Sequence, residues 1–213
     1  MVRLNISQLN ISQLNISTDD STFQALEKIS PMQRRRLSFI AKLALNNAIQ
    51  SLENNTVDYI VWVSKYGDEH KTLKILADVL QDETPSPTQF STSVHNAVAG
   101  LYSILCEDST PSTSLAGSWN DGLIEAYAWL KTINQANAKA LIVYYDEPLP
   151  KLYTEQQDFD VIAMSAICSL NDENLLLNLV EMSAETNAAI EAQQFYTFWQ
   201  NAKETKLFAW QKC

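Results

Sequence analysis

The sequence contains few residues of the kinds that form phosphate-binding loops, metal sites and nucleic-acid surfaces. Its 213 residues include only four glycines, and their spacing matches neither of the glycine-rich loops that hold nucleotides. Two histidines and three cysteines stand at no spacing used for zinc, so we expect no metal and no cofactor. The net charge is −10, and such a surface repels phosphate, which argues against a nucleic-acid partner.

Long apolar runs and a cysteine framework are also absent. No stretch of 18 apolar residues occurs, so we expect no membrane span. The odd number of cysteines argues against a set of disulfides, and no apolar segment follows Arg3 as in a signal peptide. The sequence therefore predicts a reduced, cytoplasmic protein.

The N-terminus contains a pentapeptide repeat, LNISQLNISQLNIS, over residues 4–17. Apolar and polar residues alternate within each copy, as in a strand with two unlike faces. Three copies are too few for a fold built from repeats. We expect residues 1–29 to form a separate segment, an edge strand or a tail, in front of one domain over residues 30–213.

Helical and extended patterns alternate after this segment. Ser30, Pro31 and Gln33 suit the start of a helix, and helical spacing continues to about residue 53. Strands are predicted at 58–64, 112–116, 139–145, 159–170 and 207–211, and further helices at 72–81, 88–105, 118–133 and 186–202. This order predicts an α/β fold with a mixed β-sheet flanked by helices.

Several strings resemble β-ketoacyl synthases, which have a thiolase-like fold. They are MQRRRLS at 32–38, SPTQFSTSVHNAVAG at 86–100, STSLAGS at 112–118 and residues 160–166. The match spans about residues 30 to 170. It is most similar to the short chain length factors of aryl-polyene-type type II polyketide and fatty-acid systems. The resemblance implies half of a thiolase-like fold and a non-catalytic subunit. That subunit would pair with a full-length β-ketoacyl synthase as a heterodimer and shape its acyl-chain tunnel.

The same resemblance places Ala116 where a ketosynthase has its nucleophilic cysteine. In that family the cysteine caps a helix whose dipole lowers the thiol pKa, whereas an alanine cannot attack a thioester. Ketosynthases also use two histidines from their C-terminal half, but His70 and His95 both precede Ala116. We therefore expect no catalytic residue in this chain.

Two sets of residues are candidates for binding. Those expected near the interface or tunnel are Phe90, His95, Asn96, Tyr102, Ser114, Leu115, Ser118 and Trp119. The other set is Arg34, Arg35 and Arg36, which follow a helix start, where positive charge is mildly unfavourable. These arginines suggest contact with an acidic partner, such as an acyl carrier protein or a neighbouring subunit. The alternative is that they form a solvated basic face or pair with this chain's own acids.

Two other functions stay open. One is a small acyl-thioester enzyme, a decarboxylase or hydrolase, that uses Ser114, Ser118 or His95. The other is a homodimeric scaffold that binds a carrier protein through the three arginines.

An aromatic cluster near the C-terminus, Phe195, Tyr196, Phe198, Trp199, Phe208 and Trp210, has two interpretations. Either it packs a helix on the sheet, or it covers a face that the missing second half would bury.

Overall fold

A computed structural model of the chain describes residues 6–153, 159–181 and 187–213. Residues 1–5 of the predicted N-terminal segment and the predicted helix start at 186 lie outside these ranges. The elements are β1 (Ile6–Ser17), a short 3-10 helix (Gln24–Lys28), α1 (Pro31–Arg34), α2 (Phe39–Ser51), β2 (Tyr59–Ser64), α3 (Glu69–Leu80), α4 (Pro87–Ser91), α5 (Ala97–Cys106), β3 (Ser112–Ala116), α6 (Trp119–Ile133), β4 (Ala140–Asp146), β5 (Ile162–Ser169), β6 (Leu175–Asn178), α7 (Ala188–Gln200), β7 (Lys206–Leu207) and β8 (Trp210–Lys212).

The strands form one mixed sheet in the order β3-β2-β4-β5-β1-β6-β8-β7. Strand β2 lies parallel to both β3 and β4, and the other neighbouring pairs are antiparallel. The predicted α/β architecture with a mixed, helix-flanked sheet is confirmed. Among the described residues, no helix is long and apolar enough to span a membrane.

Helices cover both faces of the sheet. Alternate residues of β4 show this arrangement: Ile142 and Tyr144 pack in a core with α6 and α7, whereas Leu141 and Val143 pack in a second core with α2. We call these the front and back faces. Since both faces are covered, β4 is buried along its whole length, which explains its uninterrupted apolar sequence.

Two helices predicted as continuous are each interrupted. The first is divided into α1 and α2, because the hydroxyl oxygen of Ser38 accepts a hydrogen bond from the Ala41 N–H at 3.3 Å and starts a new helix. The helix predicted at 88–105 is divided into α4 and α5. There Thr92 and Ser93 donate hydroxyl hydrogen bonds to backbone carbonyls of α4, and such bonds compete with helix continuation.

The expectation that the N-terminal repeat forms an edge strand or a tail is wrong for its described part. Strand β1 lies inside the sheet, between β5 and β6. A five-residue repeat is odd, so equivalent residues of successive copies would point to opposite faces of a regular strand. A bulge between Ser12 and Asn15 adds one residue opposite β5. As a result, Leu9 and Leu14 both contact the front core.

The C-terminal segment covers the front face beside α6. Phe195 and Phe198 of α7 are fully buried, and their rings contact Trp210 of β8 at centroid distances of 5.1 and 6.0 Å. Strand β6, which sequence patterning missed, joins β8 to the rest of the sheet. The prediction that the aromatic cluster packs a helix on the sheet is confirmed for these rings, whereas Phe208 is exposed.

Candidate functional site

The candidate site lies where the three parallel strands end. Ser64, Ala116 and Asp146 are the last residues of β2, β3 and β4, and Ser64 is paired with Ala116 in the sheet. The carboxyl ends of parallel strands are the usual position for binding sites in α/β folds. Ala116, the residue that the resemblance aligns with the ketosynthase nucleophile, therefore lies at this end of the sheet.

Asp146 anchors the loop that follows β2. Its fully buried carboxylate accepts hydrogen bonds from the Ser64 hydroxyl (2.8 Å), the Lys65 N–H (2.9 Å), the Tyr66 N–H (3.1 Å) and the Tyr144 hydroxyl (2.6 Å). Burial raises the pKa of Asp146, and these donors act in the opposite direction. Sequence reasoning missed this residue, although an acid directly after a buried apolar strand is a usable signal.

The carbonyl oxygen of Ser64 brings two predicted regions together. It accepts a hydrogen bond from His95 Nε2 at 2.9 Å and another from the Gly117 N–H at 3.3 Å. His95 therefore lies beside the turn that follows Ala116, with its proton on Nε2. In the described part of the chain, no hydrogen bond joins His95 to Ser114 or Ser118, so no serine–histidine pair is formed.

The start of α6 is rich in carboxylate contacts. The Ser118 N–H donates to Asp121 Oδ2 at 2.7 Å, and the Asn120 N–H donates to Glu191 Oε1 of α7 at 2.9 Å. Burial raises the pKa of Glu191, while hydrogen bonds from Asn120 and the Ser118 hydroxyl lower it. Gly117 is required at this turn, because a Cβ there would lie 2.6 Å from Asp121 Oδ2.

Strand β3 forms one end of the sheet and pairs only with β2. Ser114 and Leu115 are half-buried, and Ala116 is exposed. Two other predicted residues pack inside the chain instead. Trp119 is fully buried against Phe195, with ring centroids 5.3 Å apart. Tyr102 is likewise buried.

An exposed apolar surface lies on the segment between β2 and β3. It comprises Leu76, Val79 and Leu80 of α3, Phe90 of α4, and Val94, all at least 42% exposed. We call it the α3–α4 surface. Asn96, another predicted interface residue, is exposed just after it. Apolar side chains grouped in this way are typical of a surface that a partner covers.

The three arginines form no ion pair with this chain's acids within the described ranges. Arg34 is half-buried and its Nε atom is buried without an acceptor, whereas Arg35 and Arg36 are exposed. Arg34, Arg35 and Lys42 line a groove with Phe23, Leu26 and Pro31, of about 340 Å³. The alternative that these arginines pair with the chain's own acids is therefore wrong for the described residues.

The cysteines and metal-ligand residues do not form a reactive centre. Burial raises the pKa of Cys106 to about 11 and that of Cys168 still further, which disfavours the reactive thiolate. In the part of the chain that the structure describes, no group of His, Cys, Asp and Glu is arranged to hold a metal ion.

The profile of the family described as "Beta-ketoacyl synthase, N-terminal domain" matches residues 9–211. No curated protein matches the sequence.

Among solved structures, one chain of the complex of the ketosynthase ApeO with its chain length factor ApeC, from Xenorhabdus doucetiae, is similar. It superposes with a TM-score of 0.65 at 26% sequence identity, and the match covers 79% of this chain and 81% of that chain. The two matched chains are therefore of similar length. This similarity confirms the predicted thiolase-like, ketosynthase-type fold.

Weaker similarity extends to longer proteins. The protein smu.943c from Streptococcus mutans matches with a TM-score of 0.46 at 12% identity, over 90% of this chain and 53% of that chain. The HMG synthase of the curacin biosynthetic pathway matches with a TM-score of 0.43 at 13% identity, over 81% of this chain and 43% of that chain. At such low TM-scores, these similarities carry no conclusion about function.

Proposed function

Because the chain belongs to the family of β-ketoacyl synthase N-terminal domains, we propose that it is a non-catalytic chain length factor subunit. It pairs with a full-length β-ketoacyl synthase and shapes the tunnel that receives the growing acyl chain. The proposed setting is a cytoplasmic, aryl-polyene-type type II system of polyketide or fatty-acid synthesis. The similarity to one chain of the ApeO–ApeC complex supports this assignment.

The observation that carries the proposal is the position of Ala116. It terminates β3, at one end of the sheet, and the preceding segment bears the α3–α4 surface. A chain without a nucleophile there cannot form an acyl-enzyme, but it retains a strand and an apolar surface for a partner. We propose that β3 lies against the equivalent strand of the ketosynthase.

Tunnel depth is the proposed means of controlling product length. A tunnel closed by a bulky side chain excludes longer acyl chains by steric clash. Phe90 is the leading residue for this role, since its side chain is 62% exposed on α4. Tyr102 and Trp119 pack in this chain's own cores, so we expect them to act only indirectly.

The arginine groove supports a second contact within the same function. Arginines without an ion pair among the described residues, in a chain of net charge −10, favour an acidic partner by charge complementarity. We propose that Arg34, Arg35 and Arg36 contact an acyl carrier protein or the neighbouring subunit. By contrast, no contact among the described residues favours the thioester-enzyme alternative for Ser114, Ser118 or His95.

The proposal is tested by co-expressing the tagged chain with full-length ketosynthases of its source organism and measuring mass by size-exclusion with light scattering. We expect a one-to-one complex, and self-association or poor solubility of the chain alone. A well-behaved monomer or homodimer that binds no ketosynthase would overturn the proposal. A homodimer that binds carrier protein through the arginines would establish the scaffold alternative instead.

A further inference from the structure

We propose that Glu191 and Asp121 close the N-terminus of α6 to anions, so that this chain could not activate a nucleophile at position 116 even if a cysteine stood there. The inference rests on the proposed function, because it gives the non-catalytic role a physical basis beyond the loss of one side chain. It concerns the electrostatics and the free hydrogen-bond donors of the β3–α6 turn.

Three backbone donors of this turn are already engaged. The Gly117 N–H donates to the Ser64 carbonyl, the Ser118 N–H to Asp121, and the Asn120 N–H to Glu191. The first N–H groups of a helix have no partner within the helix and form a ready site for an anion. Here the Asn120 N–H, one of these groups, bonds a carboxylate of the chain itself, and a second carboxylate bonds the Ser118 N–H just before the helix, so a bound oxyanion would have to compete with both.

Negative charge opposes the helix dipole at this turn as well. A helix N-terminus carries about half a positive charge, which lowers the pKa of a nearby thiol. Asp121 and, in its ionised form, Glu191 bond to the same turn and oppose this charge. Glu191 acts at short range, because it is only 7% exposed and is therefore weakly screened by solvent.

The C-terminal segment holds Glu191 in this position. Asn187 caps α7 by accepting hydrogen bonds from the first backbone N–H groups of that helix. Trp210 Nε1 donates to Asn120 Oδ1 at 2.7 Å in a buried contact, and the Asn120 side chain also bonds Glu191. The segment that covers the front face beside α6 therefore also delivers the carboxylate to the start of α6.

The test is the acidity of a thiol introduced by Ala116→Cys in the isolated chain. Iodoacetamide alkylation is followed by mass spectrometry of the peptide containing position 116 at pH 6 to 10. A short unstructured peptide with one internal cysteine, alkylated in the same way, supplies the reference thiol. The same profile is measured in Ala116→Cys/Glu191→Gln, and in Ala116→Cys/Glu125→Gln as the matched control. Glu125 lies farther along α6 and bonds Tyr59.

We expect the thiol at position 116 to titrate at or above the pKa of the peptide thiol. Glu191→Gln should lower its pKa by about one unit, which means about tenfold faster alkylation near neutral pH, and Glu125→Gln should leave it unchanged. A pKa at position 116 well below that of the peptide thiol, or one that ignores Glu191→Gln, overturns the inference.

If Glu191→Gln prevents folding, the thiol pKa is measured in Ala116→Cys/Asp121→Asn instead, and we expect the same decrease. The comparison of the Ala116→Cys thiol with the peptide thiol needs no second substitution. Because every measurement is made without a ketosynthase, its result is independent of whether the chain forms the proposed complex.

Discussion

The two ends of the sheet differ in what covers them. The parallel end, β3-β2-β4, carries the candidate site, the Asp146 anchor and the exposed α3–α4 surface. The antiparallel end, which includes β6, β8 and β7, packs through Trp210 against the rings of α7. At the second end the rings of Phe195, Phe198 and Trp210 are buried within the chain, whereas Val180 and Phe208 are exposed. At the first end the apolar side chains of the α3–α4 surface are exposed together, and we call the first the open end and the second the closed end. The comparison teaches that this chain buries its largest rings at one end and exposes apolar side chains at the other, where we propose that the partner binds.

The largest expected effect is a loss of stability at the closed end of the sheet. Replacing Phe195 by alanine removes a fully buried ring that contacts Trp119, Trp199 and Trp210. We expect a loss of about 3–5 kcal/mol in the free energy of unfolding, since large cavities in cores cost this much. Urea denaturation measures it. Phe208→Ala, at a 60% exposed position, should change stability by less than about 0.5 kcal/mol; equal losses would refute the contrast.

The second effect concerns Asp146, which anchors the loop after β2 at the open end of the sheet. Asp146→Asn keeps the shape of the side chain but replaces one acceptor oxygen by a donor, which then faces N–H groups or hydroxyls that also donate. We expect a loss of about 1–3 kcal/mol in unfolding free energy, the usual cost of leaving a buried polar group unsatisfied. Asp160→Asn, at an exposed position, serves as the control. A fully stable Asp146→Asn protein would show that the anchor contributes little.

A third change separates binding from folding. Val94→Asp places a charge within the α3–α4 surface, where Val94 is 42% exposed. Ile133→Asp places a charge on α6 instead, at a residue that is 41% exposed. We expect Val94→Asp to weaken the ketosynthase complex at least tenfold, or about 1.4 kcal/mol, because the charge would be buried at the interface. Titration by light scattering gives the affinity, and melting should leave both variants close to the parent chain. If Ile133→Asp weakened the complex equally, the ketosynthase would bind somewhere other than the α3–α4 surface.

The smallest effect is a pH dependence at the open end. Burial raises the pKa of Glu147 to about 7, with Asp68 and Asp146 adding to the shift and His70 opposing it. The folded chain therefore binds a proton that the unfolded chain releases above about pH 4.5, so this contribution to stability falls as pH rises towards 7. We expect Glu147→Gln to raise stability by about 1 kcal/mol at pH 8, allowing for solvent screening, and by almost nothing at pH 4.5. Thermal melts at the two pH values measure it, and an equal effect at both would contradict the assignment.

Local patterns were sufficient for many elements. The apolar runs around Val61, Ile142 and Ala166 form β2, β4 and β5, because uninterrupted apolar runs of this length are buried strands. Strand β6 was missed, since four residues, LLLN, are too short to show a period. The breaks before α2 and α5 were missed because the apolar residues keep helical spacing across both. The hydroxyl hydrogen bonds that divide the helices there leave no mark in that spacing.

The site could be predicted only in part. The resemblance singled out Ala116 and His95, and the structure brings both beside Ser64, while their proposed roles stay a prediction. Sequence reasoning did not identify Glu191, because its partner Asn120 is 71 residues away in the sequence. The residues around Glu191 show only an ordinary helical pattern. Asp146 was overlooked because its partners are backbone groups of a loop some 80 residues away.

The sequence by itself determined the alternation of helices and strands, the net charge of −10 and the alanine at position 116 on which the proposed non-catalytic role rests. These properties depend on residue type and on spacing over a few positions. Only the tertiary structure decided that the repeat enters the middle of the sheet, with one bulge correcting its odd period. It also decided that α7 brings Glu191 to the start of α6. Strand neighbours and contacts between residues far apart in the sequence depend on the packing of the whole core. Local periodicity therefore does not predict them.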